Sequence, residues 1–174
     1  MKITDDDFTL FGLPQRQALD RADLDARRRE LQAQVHPDRF VSEGSAAQRI
    51  AMQWAVRVNE GYARLKDPLA RAAYLCEMRG VPVDAERNTA MPKAFLMQQM
   101  QWRETLEDAA DTAGVQALGH AVERQERDLL ATLTDQLDVR NDTAGAAAQV
   151  RALMFVARFR QDIERRLDLL DVHR

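Results

Sequence analysis

The sequence predicts an all-α protein built from two helical units, and three observations carry that reading. Val and Ile are too scattered to line strands, while Ala, Leu, Arg, Gln, Asp and Glu dominate, a composition that favours helices. Apolar residues recur at steps of three and four in segment after segment, the period of one buried helix face. Helix breakers punctuate those segments: Gly12 and Pro14, then Pro37, Asp67-Pro68, and finally Gly80 with Pro82.

The first short helix draws on Phe8, Leu10 and Phe11 as anchors and stops at Gly12 and Pro14. Asp20 suits the N-cap of a second helix running to about Val35. There Leu24, Leu31 and Val35 form the apolar face, and Arg27, Arg28 and Arg29 project on other faces. Pro37 ends it, because the residue before a proline is pushed out of the α region. A polar loop, Ser42-Glu43-Gly44-Ser45, leads to a third helix, capped by Ser45 or a neighbour and extending to about Leu65. Its Ile50, Trp54, Val58, Tyr62 and Leu65 make one buried stripe. After Asp67-Pro68 a shorter helix holds Arg71, Ala72, Tyr74, Leu75 and Met78.

Gly80 and Pro82 mark a boundary, which predicts a first domain over 1–80, a linker over 81–90 and a second domain over 91–174. Pro92 suits a first helical position and starts a helix to about Ala113. Val115, Leu118, Val122, Leu129, Leu133 and Leu137 keep a helical period in the next. Asn141-Asp142 opens a turn, and Phe159, Ile163, Leu167 and Leu170 share a face of the last helix. Three helices with short connections make an antiparallel bundle.

Composition narrows the function. A chain of 174 residues with a net charge of −3 has no electrostatic case for wrapping nucleic acid. The single cysteine, Cys76, leaves no intramolecular disulfide or cysteine metal site and reads as a small buried apolar residue. His120 and His173 lack partners at metal-ligand spacing, so neither a metal nor another cofactor is implied. The acidic start, Met1-Lys2-Ile3-Thr4-Asp5-Asp6-Asp7, is not a secretory signal. No apolar run approaches the roughly 20 residues that span a bilayer. The expectation is a soluble cytoplasmic protein with no membrane partner.

His36-Pro37-Asp38 stands between two antiparallel amphipathic helices. Pro37 fixes its own φ and lacks an N–H, so it stops the helix and stiffens the loop. His36 can donate and accept hydrogen bonds, and Asp38 is a charged acceptor, so the loop offers polar groups to a partner with little freedom left to lose on docking. A hydrolase using His36 and Asp38 would lack a nucleophile, a second acid–base pair and a metal cluster. No catalytic residues are therefore expected and the chain does not read as an enzyme; from these residues alone the loop is either a docking element or a capped inter-helix turn with no partner.

The run from Val58 to Pro68, followed by Arg71, Ala72, Ala73 and Tyr74, resembles the end of the third helix of a J domain, and Phe8 to Pro14 fits its first helix. From Asp67-Pro68 through Leu75, then Ala94-Phe95-Leu96-Met97, then a helical tail, the chain is similar over nearly its full length to the HscB family of J-domain co-chaperones of iron–sulfur cluster assembly. The resemblance implies an L-shaped all-α protein: an N-terminal J domain, a helical hairpin with short flanking helices, plus a C-terminal antiparallel three-helix bundle. It implies a DnaK-like ATPase of HscA type as the partner of His36, Pro37 and Asp38, with Arg28 and Arg29 of the preceding helix. It also implies the iron–sulfur scaffold IscU as the client of the bundle; a J-domain adaptor for a different client is the alternative. Arg28 stands where J domains often carry an aromatic residue.

The helix from Pro92 supplies the candidate client surface. At about 100° per residue with Phe95 at zero, Trp102, Leu106, Ala109 and Ala113 fall within about 40° and make the core face. Leu96, Met97 and Met100 lie at about 100°, 200° and 140°. Glu104 and Asp108 continue that sector, and Gln101 borders it. An apolar cluster rimmed by polar residues suggests a protein-binding surface, and methionine adapts its shape to a partner. A helix touching two bundle neighbours would instead bury both faces. The resemblance maps the family's scaffold-binding surface onto Leu96, Met97, Met100, Gln101, Glu104, Asp108 and Phe155, with Gln101 where a glutamate is common. Phe155 falls about 80° off the apolar stripe of its own helix.

Overall fold

The computed structural model describes residues 2–172; Met1 and His173 lie outside them. Among the described residues every regular element is helical. The chain divides into two compact units, Met1–Leu75 and Cys76–Arg174.

The first unit holds α1 (Asp7–Phe11), α2 (Arg21–Val35), a 3₁₀ turn (Pro37–Glu43) and α3 (Ser45–Lys66); α4 (Pro68–Met78) begins in it and crosses the division. Asp6 caps α1 by accepting from the Thr9 N–H at 3.0 Å, and Gly12, at φ +62°, ends it in the left-handed conformation that costs glycine least. Asp20 caps α2 through the Ala22 N–H at 2.7 Å. Asp67 ends α3 and accepts from the Leu69 N–H at 2.7 Å, so one residue closes one helix and opens the next, with Pro68 in the first turn of α4. Leu24, Leu31 and Val35 of α2 are buried together with Ala51, Val58 and Leu65 of α3, over Phe8, Leu10 and Phe11 of α1.

A buried charge organises this core. The Asp7 carboxylate is fully buried and meets Arg57 Nη1 at 2.6 Å and Arg64 Nη1 at 2.8 Å, both from α3. Its backbone N–H donates to the Tyr74 hydroxyl at 3.1 Å, and Phe8 stacks on the Tyr74 ring at 6.0 Å. Gly61, in mid-helix, makes room for the pair. A Cβ there would lie 3.1 Å from both Arg57 Nη1 and Phe11 Cε2, and 3.2 Å from Asp7 Oδ1.

Gly44, the neighbour of Ser45, occupies the N-cap of α3, so no side chain caps the helix. Two details of this unit differ from the sequence reading. Ile50 is 57 % exposed and Trp54 only half-buried, because α2 ends at Val35 and the start of α3 has only that helix end and the 3₁₀ turn to pack on. Arg28 does not project away from the apolar face. Standing four residues after Leu24, it shares that face, and its guanidinium lies 4.1 Å over the Tyr62 ring of α3.

The second unit holds α5 (Lys93–Asp108), α6 (Thr112–Asp138) and α7 (Thr143–Val172). All six apolar residues expected of α6, from Val115 to Leu137, are buried. They pack on α7, which buries Val150, Leu153, Val156, Phe159 and Ile163. Along α7, Leu167 and Leu170 are only half-buried, since Gly119 already stands opposite Ile163 and the helix then runs toward the end of its partner. The α5 helix enters this core through Phe95 and Trp102, whose rings meet Phe155 and Phe159, each at 5.7 Å. It ends at Asp108, not near Ala113. Asp111 accepts from the Gly114 N–H at 2.8 Å and starts α6, which leaves Ala113 exposed.

The stretch 81–90, expected as a linker, is fastened to the second unit. Buried Arg151 of α7 donates to the Val83 carbonyl at 2.8 Å and to that of Ala90, and Arg79 donates to the Leu137 carbonyl at 2.8 Å. Cys76 is buried, and burial pushes its thiol up despite the opposing pull of Arg79 and Arg151. No described helix is long and apolar enough to cross a membrane.

Alanine is the better helix former by about 1 kcal/mol, so Gly61→Ala should stabilise an isolated helix. Here the methyl group would lie 3.1–3.2 Å from an aromatic ring and a buried ion pair, so those groups must shift to admit it. We therefore expect net destabilisation by about 1 kcal/mol or more in chemical denaturation. An unchanged or raised midpoint would show that the α1–α3 seam is loose.

Candidate functional site

Two surfaces, one on each unit, gather the residues singled out from the sequence. On the first, the chain leaves α2 at His36, whose backbone is extended at φ −63° and ψ 125°, as a residue before proline must be. Pro37 opens the 3₁₀ turn. The His36 and Asp38 side chains are 60 % and 85 % exposed. His36 Nδ1 accepts from the Asp38 N–H at 3.3 Å, which in the neutral ring places the proton on Nε2 as a free donor. Asp38 adds a carboxylate acceptor, with Oδ2 3.7 Å from Nδ1. Arg39, not singled out by the sequence reading, braces the turn by donating from Nη1 to the Ala33 carbonyl at 2.8 Å. It satisfies one of the carbonyls that the end of α2 leaves open.

The hairpin behind the loop is tied across its whole length. Gln32 Nε2 donates to Asn59 Oδ1 at 3.1 Å. Nearer the far end, Arg21 donates to the Tyr62 hydroxyl at 2.9 Å, and that hydroxyl donates to Asp25 at 2.8 Å. The Tyr62 hydrogen bond, then Arg21, hold the Asp25 carboxyl below its ordinary range. The expected arginines separate here: Arg29 is exposed, whereas Arg28 is half-buried against Tyr62 and joins α2 to α3. The sequence marks the difference only by Arg28's place four residues after Leu24 and at a position where J domains often carry an aromatic residue.

On the second unit, α5 points Phe95 and Trp102 inward and leaves Met97 and Met100 71 % and 70 % exposed, with Leu96 at 38 %. Gln101, Glu104 and Asp108 are exposed beside them. Phe155 is half-buried at the seam between α5 and α7, edge-on to Phe95. The sequence reading did not single out Arg103, which lies 5.4 Å over the outer face of that seam at Phe155. The surface combines flexible apolar anchors, a fixed aromatic ring and a polar rim, a pattern suited to docking a protein.

Comparison with known proteins identifies the family. Residues 91–164 match the protein-family model described as the HSCB C-terminal oligomerisation domain. The co-chaperone protein HscB homolog of Burkholderia pseudomallei (strain K96243) is 51 % identical over 174 residues, covering 98 % of this chain and 99 % of the relative. That of Bordetella petrii is 51 % identical over 163 residues, covering 91 % and 94 %. The structure of chaperone HscB from Vibrio cholerae has a TM-score of 0.78 at 36 % identity, covering 95 % of this chain and 99 % of that one. Human co-chaperone protein HscB has a TM-score of 0.81 and covers 94 % and 83 %; at 23 % identity that likeness speaks for the fold alone. The chain belongs to the HscB family of J-domain co-chaperones of iron–sulfur cluster assembly.

Proposed function

We propose that this chain stimulates the ATPase of a DnaK-like chaperone of HscA type through the His36-Pro37-Asp38 loop, and delivers the iron–sulfur scaffold IscU through the α5 face and Phe155. In this reading it works in the cytoplasm and is not itself an enzyme. Functionally the J domain covers 1–80, and the client-binding bundle covers 91–174, joined through 81–90.

The observation that carries the proposal is the loop itself. A donor at His36 Nε2 and a carboxylate at Asp38 stand outside the fold, held by a proline and by the Arg39 brace. Such groups add little to the chain's own stability, and a rigid loop limits the entropy lost on docking. Arg29, exposed on α2, is the basic residue free to meet an acidic partner; Arg28 contributes by fixing α2 against Tyr62.

Two results follow. His36→Gln should leave helicity and melting nearly unchanged yet remove most of the stimulation of the chaperone's ATPase, measured as steady-state hydrolysis with and without the scaffold. Full stimulation by this variant would refute the role of the loop. On the other unit, replacing Leu96, Met97 and Met100 together by alanine should keep the bundle folded, because exposed side chains leave no cavity. Scaffold affinity should fall by roughly a hundredfold or more, as central apolar anchors each cost on the order of 1–2 kcal/mol. A folded triple variant with parental affinity would remove α5 from the client site.

A further inference from the structure

We propose that Arg103 is a specificity-determining residue of the client surface, where it receives a carboxylate that the docking partner presents beside its apolar anchor residues. The inference rests on the α5 face being the scaffold site and adds the charge chemistry of the segment that binds there.

On the helical wheel that places Phe95 at zero, Arg103 falls at about 80°, next to Leu96 at about 100° and Met100 at about 140°. It stands three residues after Met100 and seven after Leu96, so the three side chains form one ridge. Its side chain is exposed, with the guanidinium over an aromatic ring. It lies 5.4 Å from the centroid of the half-buried Phe155 ring, which joins the exposed apolar cluster to the α5–α7 seam. Stacking leaves the planar N–H groups at the guanidinium edge available, the geometry in which arginine binds a carboxylate with two parallel hydrogen bonds.

Several other cations of this unit are already engaged. Arg160 bonds Glu126 at 2.6 Å, Arg140 bonds Asp135 at 2.6 Å, Arg165 bonds Asp162 at 3.4 Å, and Arg166 donates to the Ala109 carbonyl at 3.1 Å. Among the described residues no carboxylate pairs with Arg103, although Glu107 follows it by one helical turn. A cation that is fixed by an aromatic ring, flanked by exposed apolar side chains and unpaired by its own chain is prepared for a charge from elsewhere.

The opposite rim carries the other sign. Glu104 and Asp108 lie at about 180° and 220°, across the apolar cluster from Arg103. Glu107, at about 120°, and Lys93, at about 160°, stand between them, so both signs border the apolar cluster and Arg103 is marked out by its place beside Phe155. Rim charges of this kind choose the partner and its register more than they raise raw affinity.

The test measures the affinity of purified IscU-type scaffold for the full chain, at low and high salt, for the parent and for Arg103→Gln, Arg103→Lys and Arg103→Glu. The alanine triple variant at Leu96, Met97 and Met100 runs alongside. Arg103→Gln should bind about tenfold more weakly at low salt, and the gap should narrow at high salt as screening weakens the lost attraction. Arg103→Lys should keep most of the salt dependence, and Arg103→Glu should fall below Arg103→Gln. Parental binding by Arg103→Gln at low salt would overturn the assignment. So would a loss of the same size at both salts, which would mean that Arg103 only packs on Phe155. If the triple variant loses affinity while Arg103→Gln does not, the assignment of Arg103 fails and the site stands. If the triple variant binds like the parent, both readings fall.

Discussion

Burying the Asp7 carboxylate obliges α3 to supply both Arg57 and Arg64, and the geometry of the first unit follows from that requirement. A buried ion pair adds little over an apolar replacement, but leaving one partner unpaired costs about 3–5 kcal/mol, so the arrangement tolerates few alternatives. The pair sets α1 across α3 and brings Phe8 and Phe11 under the hairpin. It also places the Asp7 N–H against the Tyr74 hydroxyl, so α4 is fixed at the same point. Gly61 is the local concession that lets the helices approach. The hairpin built on this base has one end free of packing duties, and the His36-Pro37-Asp38 loop stands there.

Much of this was legible in the sequence because it depends on local rules. Proline, glycine and aspartate at helix ends, and apolar residues at helical spacing, gave the helices and most of their buried faces. The His-Pro-Asp loop was visible because proline acts on its own neighbours. What sequence could not show depended on where a helix finds a partner. Ile50 continues the apolar period of α3 but is exposed because α2 has already ended. Ala109 and Ala113 continue the period of α5, but Asp111 intervenes with a cap for the next helix. The Asp7 pair joins residues about fifty positions apart, which periodicity within one helix cannot reveal.

The candidate sites divide in the same way. The exposed methionines of α5 could be read from angle alone, since Phe95 and Trp102 fix which side faces inward. Arg28 and Arg29 are adjacent in sequence, and contact with Tyr62 gives Arg28 its place between α2 and α3. Arg39 and Arg103 carry no sequence signal of their own. Each acquires its role from a group on another part of the backbone, the Ala33 carbonyl for one and the Phe155 ring for the other.

The proposed function requires one chain to hold the His36-Pro37-Asp38 loop and the exposed α5 face together. The most direct measurement is a mixing experiment on the HscA-type ATPase in the presence of limiting scaffold. One chain carries His36→Gln with an intact α5 face; the other carries the alanine triple at Leu96, Met97 and Met100 with an intact loop. If delivery requires both surfaces on one molecule, the mixture will not reach the scaffold-dependent stimulation of the parent chain. Restoration of parental stimulation by the mixture would contradict the account.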